Sequence, residues 1–116
     1  MKLGSKQEVI DHVVRSLTGS NGQGVFEAEG LPPIEIGAGK KVYVVMDWDR
    51  YVAEGRDPMD YCRAGVDVVR QVRSALPDFN MRADIKFVSA PPKNITLGDL
   101  ADELSGQTYA SRRSDN

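Results

Sequence analysis

The sequence predicts a small single-domain α+β fold: a mixed sheet made of a β-hairpin plus flanking strands, with an N-terminal helix, one long covering helix and a short C-terminal helix. Three observations predict it. Lys41 to Met46 is a run of strand formers ending in Asp47-Trp48-Asp49, and Pro58 to Leu76 repeats apolar residues at helical spacing. The length of 116 residues, 41% hydrophobic and 28% charged, suffices for one core and leaves no room for a second domain. We therefore assign residues 1–106 to the domain and 107–116 to a polar C-terminal tail.

Ser5-Lys6-Gln7-Glu8 has the spacing of a capping box, so a helix begins near Lys6. Val9, Ile10, Val13, Val14 and Leu17 form its apolar stripe and Gly19 stops it. His12 lies off that stripe and reads as a solvated surface histidine. The glycine-rich segment 19–24 follows a helix, which makes it a poor phosphate cradle. Val25 to Glu29 alternates as a short strand with Phe26 and Ala28 inward, ended by Leu31-Pro32-Pro33.

Ile34-Glu35-Ile36, a turn at Gly37-Ala38-Gly39-Lys40 and the run from Lys41 to Trp48 form the expected hairpin. Gly37 to Lys41 does not match a phosphate-binding loop, because Ile34 stands where the first glycine belongs and the segment leads into a strand. Val42, Val44 and Met46 on one face, with Tyr43 and Val45 on the other, predict an interior strand covered on both sides. Residues 51–56 read as a polar loop or a single helical turn.

Asp57-Pro58 caps the next helix. Tyr61, Cys62, Gly65, Val68, Val69, Val72, Ala75 and Leu76 fall on its inner arc, which makes Cys62 a buried structural thiol. Its outer face alternates sign, with Asp60 before Arg63 and Asp67 before Arg70, as solvated helices do. After the break at Pro77, Ala83 to Ser89 is the last strand with Ile85 and Phe87 inward. The sequence leaves open whether it runs parallel or antiparallel to the strand at 41–48; a right-handed crossover through the long helix would make it parallel. Thr96, with Asp99 three residues on, caps a short helix carrying Leu97, Leu100, Ala101 and Leu104. The tail from Gln107 is expected to lack structure by itself.

Composition narrows function. A formal charge of -2 gives no whole-protein field for non-specific nucleic-acid binding, so nucleic acid is a disfavoured partner. One cysteine and one histidine exclude a His/Cys zinc site built from this chain. No apolar run reaches the length of a membrane span and no secretory leader is evident, so the expected setting is cytoplasmic, or virion-associated for a protein of phage origin.

Chemistry is hinted at in one place. Asp47 and Asp49, on one face of a regular strand, are the candidate catalytic or metal-ligating pair, and Mg²⁺ is the cation they would take. Apolar strand, Asp-x-Asp, helix, strand and the later acidic segment 98–104 resemble the second half of TOPRIM domains, over about residues 41–105. That resemblance implies Mg²⁺-dependent phosphotransfer on nucleic acid, with Asp47 and Asp49 as ligands and an upstream acid at Glu27 or Glu29. The strand ending in Asp is also similar to NYN/PIN-type nucleases. By contrast, the order helix, strand, hairpin, helix, strand, short helix resembles small binding and assembly proteins, phage tail-terminator and head–tail connector subunits among them. The expected function is accordingly non-enzymatic, through a protein partner or homo-oligomer, with Pro91, Pro92, Arg112 and Arg113 as candidate contact residues.

Overall fold

A computed structural model describes residues 1–19 and 23–105. Helix α1 (Lys6–Thr18) leads into strands β1 (Gly24–Phe26), β2 (Ile34–Ile36) and β3 (Val42–Met46). Helices α2 (Trp48–Ala53) and α3 (Pro58–Ala75) follow, then β4 (Ala83–Phe87) and α4 (Leu97–Ser105). The strands form one mixed sheet in the order β1-β2-β3-β4. The first two pairings are antiparallel and β3/β4 is parallel, the register running from Val42 opposite Ala83 to Met46 opposite Phe87. Arg112 and Arg113 lie outside the described residues.

The caps read from the sequence are made. Ser5 Oγ accepts from Glu8 N–H at 3.2 Å, while the Glu8 carboxylate reaches back to Gly4 N–H at 3.4 Å. Asp57 Oδ1 accepts from Met59 N–H at 3.0 Å, with Pro58 in the first turn. Thr96 and Asp99 exchange hydrogen bonds at 3.1 and 3.2 Å, a reciprocal capping box. The hairpin turn is a single 3-10 turn, Ala38–Lys40, in which Gly39 (φ 72°) and Lys40 (φ 60°) are left-handed. Lys40 Nζ donates to the carbonyls of Leu17 (2.9 Å) and Gly19 (3.3 Å), fastening that turn to the negative end of α1.

The core lies on one face of the sheet. Phe26, Ile34, Ile36, Val42, Val44 and Met46 pack there against Val9, Val13 and Leu17 of α1 and Cys62, Val66, Val69 and Val72 of α3. Gly65 is where α3 comes closest to β3. A methyl at that position would stand 2.6 Å from Val44 Cγ1 and 2.7 Å from Pro32 Cγ. Met59 and Val66 join the inner arc of α3, whereas Ala75 is exposed.

Two-sided cover of β3 is not observed. Tyr43 and Val45 are only half-buried, and among the described residues no helix covers their face of the sheet. The Tyr43 ring is flanked by lysines instead: the ammonium groups of Lys41 and Lys86 stand 5.3 and 5.9 Å from its centroid. Lys86 also pairs with Glu35 at 3.1 Å, and Lys41 with Asp84 at 3.5 Å.

The outer face of α3 is largely exposed and pair-laced as its sign alternation suggests, Arg63 pairing with Asp60 at 3.8 Å, and it also reaches neighbouring elements. Asp67 pairs with Lys6 of α1, where the sequence pattern set it beside Arg70. Arg63 and Arg70 reach Glu103 of α4 at 3.6 and 3.9 Å. Arg70 and Arg73 also donate to the Glu103 and Leu104 carbonyls at 3.2 and 2.9 Å, which satisfies carbonyl groups at the end of α4.

Candidate functional site

The expected strand from 41 to 48 ends at Met46, and this changes the geometry of the acidic pair. Asp47 is the N-cap of α2, a helix in the segment where a polar loop or a single turn was expected. Its Oδ1 accepts from Arg50 N–H at 3.4 Å and from the Ser89 hydroxyl at 3.3 Å. Ser89 Oγ in turn accepts the backbone N–H of Asp49 at 3.0 Å. Thus Asp47 and Asp49 do not share a strand face: one caps a helix and the other lies exposed in its first turn. Arg50 pairs with Glu54 at 3.2 Å, not with Asp49.

Trp48 is fully buried in the first turn of α2, its ring edge-on to Phe87 at 6.1 Å. Its Nε1 has no acceptor among the described residues. Glu27 and Glu29, the upstream acids of the TOPRIM resemblance, line a polar cleft of about 390 Å³ with Lys2, Arg50, Tyr51 and Glu54. Among the described residues no group of three or more His, Cys, Asp or Glu is gathered as a metal ion would require.

Among the described residues burial displaces two titratable groups, a thiol and the phenol of Tyr51, which lines the polar cleft. Burial pushes the Cys62 thiol up to about 11, helped by the negative charge of Glu103. Burial likewise raises the Tyr51 phenol to about 12, where its ring stacks on Tyr61 at 4.1 Å. A buried thiol held neutral is inert toward electrophiles at ordinary pH. His12 is half-buried beside Phe26, its Nδ1 2.8 Å from the Glu8 carbonyl.

The surface that distinguishes the molecule is the opposite flank of the same sheet end. β4 is an outermost strand, and among the described residues no strand pairs with its free edge. The other outermost strand, β1, is covered by the first residues of the chain: Leu3 N–H donates to the Glu27 carbonyl at 2.7 Å and Glu27 N–H to the Met1 carbonyl at 2.8 Å. At the end of β4 and the start of α4 apolar side chains stay in the open, with Phe87 40%, Val88 62% and Leu97 70% exposed, while Ala83 and Ile85 are half-buried. Phe87 was expected inward. It lies on the core face, opposite Met46, but at the rim of the sheet.

Between β4 and α4 runs a cleft of about 250 Å³ lined by Ile85, Phe87, Leu97, Leu100, Ala101 and Leu104. The sequence carried a signal for it that went unread: Phe87-Val88 breaks the alternation of the strand, and Leu97 follows directly on the cap. Pro91 and Pro92 are half-buried in the connector between β4 and α4, where the Pro92 carbonyl accepts Ile95 N–H at 3.0 Å. No protein-family model, curated protein or solved structure matches this chain.

Proposed function

We propose that the chain is a non-enzymatic binding or assembly protein that acts through protein–protein contacts, with the free edge of β4 and the adjoining cleft as its contact surface. One observation carries the reading: the outer edge of β4 has no partner strand among the described residues, and Phe87 and Val88 at the end of that strand and Leu97 at the start of α4 leave apolar surface exposed near it. Unpaired strand edges template the addition of another strand, and proteins with no use for such an edge keep it short, charged or covered. Here the β1 edge is covered while the β4 edge combines open backbone with an apolar cleft.

The test is recovery of a stoichiometric protein partner, a second copy included, by the tagged chain in its native host. The double variant Val88→Lys/Leu97→Glu, with an unchanged circular dichroism spectrum, is expected to lose that partner. Equal recovery by the double variant, or recovery of nothing by either form, would overturn the proposal.

A further inference from the structure

We infer that the free edge of β4 takes a second copy of this chain, the two β4 strands running antiparallel about a twofold axis at Ile85. The inference rests on reading that edge as a protein-binding surface, and names its occupant. The ladder to β3 decides which backbone groups are available. Val42 N–H donates to the Arg82 carbonyl at 2.9 Å and Val88 N–H to the Met46 carbonyl at 2.9 Å. Even-numbered residues of the strand therefore turn their backbone toward β3, and Ala83, Ile85 and Phe87 turn theirs toward the open edge.

An antiparallel strand centred on Ile85 sets Ile85 against Ile85, Ala83 against Phe87 and Asp84 against Lys86 of the second copy. Every outward N–H and C=O of the strand then gains a partner. A small side chain meets a large one, twice. A carboxylate meets an ammonium, also twice, on the face that carries Tyr43.

The neighbouring twofold registers fail on charge. Centring on Asp84 opposes two aspartates, and centring on Lys86 opposes two lysines. Moving the axis to Ala83 or Phe87 leaves part of the strand unpaired. Only the register at Ile85 pairs all five residues with opposite charges facing. A different partner strand would have to bring its own basic and acidic residues two apart in reverse order, whereas β4 supplies them itself.

In the single chain these groups are occupied locally. Asp84 Oδ1 accepts Ile85 N–H at 2.8 Å, and Lys86 holds Glu35 at 3.1 Å. Pairing exchanges the first for an inter-strand hydrogen bond and releases that Asp84 oxygen to meet the second copy, the other oxygen being held by Lys41 at 3.5 Å. The side chains of Ala83, Ile85 and Phe87 share the face on which the β4/α4 cleft opens, so the cleft continues across the seam.

Charge reversal tests the register. Sedimentation equilibrium of the full chain is expected to show a concentration-dependent dimer. Asp84→Lys and Lys86→Asp, each alone, weaken it by about tenfold or more, since each replaces two attractive pairs by two repulsive ones. An equimolar mixture of the two single variants, in which every facing pair is Lys with Asp, restores association, as does the double variant Asp84→Lys/Lys86→Asp. A wild-type chain that stays monomeric at millimolar concentration overturns the inference, and so does a mixture that associates no better than its components. Neither result touches the wider reading of the edge, which stands or falls on partner loss in Val88→Lys/Leu97→Glu.

Discussion

Gly65 of α3 and Val44 of β3 are in such close approach that a single added methyl would stand 2.6 Å from Val44 Cγ1, with Pro32 Cγ at 2.7 Å behind it. Real Cβ atoms do not come that close, and the obstructing atoms belong to a β-branched valine and a proline ring, side chains with little freedom to move aside. Glycine in the middle of a helix ordinarily costs about 1 kcal/mol relative to alanine. Here packing decides the sign.

Gly65→Ala is accordingly expected to destabilise the chain by about 1–3 kcal/mol, overpacking outweighing the gain in helix propensity. Urea unfolding followed by circular dichroism measures it, and a midpoint equal to or above that of the wild type would show that α3 can shift away from the sheet.

Asp47 as a helix cap makes a separate prediction. Asp47→Ala removes the acceptor for Arg50 N–H and for the Ser89 hydroxyl and is expected to cost about 1 kcal/mol, whereas Asp47→Asn keeps a capping oxygen and costs less than half of that. The metal reading of Asp47 and Asp49 predicts something else: a rise in melting temperature with millimolar Mg²⁺ that Asp47→Asn abolishes. Thermal melts of the three proteins with and without Mg²⁺ separate the two.

Asp67 sets an acid-side dependence. The hydrogen bond from Lys6 holds its carboxyl below the ordinary carboxylate range, with Gln71 assisting. A depressed folded-state value means stability that is present above the unfolded value of about 3.9 and is lost as pH falls through the folded one. Both side chains are 41% exposed, so solvent screening limits the contribution to under about 1 kcal/mol. Asp67→Asn is expected to flatten the stability profile below pH 4 and to leave its alkaline limb unchanged.

The alkaline limb belongs to Cys62 and Tyr51. Their folded-state values of about 11 and about 12 lie above the unfolded values of about 8.5 and about 10. Each therefore contributes stability that is complete below its unfolded value and declines as pH rises toward the folded one. Unfolding midpoints should fall from about pH 9 upward, and Cys62→Ala should delay the onset while lowering stability at pH 7 through the cavity it leaves. A thiol reagent is expected to label Cys62 only at the rate of opening; immediate labelling of the native chain at pH 8 would contradict its burial.

Local chemistry was legible in the sequence and long-range chemistry was not. The caps at Ser5, Asp57 and Thr96, the hairpin around Gly39 and the inner arc of α3 all follow from residues a few positions apart, and each is present. Asp-Trp-Asp misled because alternation extended the strand through Trp48, while that ring lies buried in the first turn of α2, against Phe87 of a distant strand. The further partners of Arg63 and Arg70 were invisible in the sequence because Glu103 lies on α4, far along the chain. Tyr43 and Val45 looked interior because the run is apolar on both faces, while the lysines that flank the Tyr43 ring carry no apolar signature.

The topology also sets an order of events in folding. β1, β2 and β3 meet through short connections, but β4 joins the sheet only by pairing with β3, from Val42 opposite Ala83 to Met46 opposite Phe87, across the whole of α2 and α3. Closing that loop carries an entropic cost that the hairpins escape, so β4 and α4 add to a nucleus already formed by the hairpin and α3. Substitutions along the β4 edge will then accelerate unfolding and leave the folding rate nearly untouched. The last strand to dock is thus the first to leave, and whatever pairs with its outer edge acts as a kinetic latch on the native state.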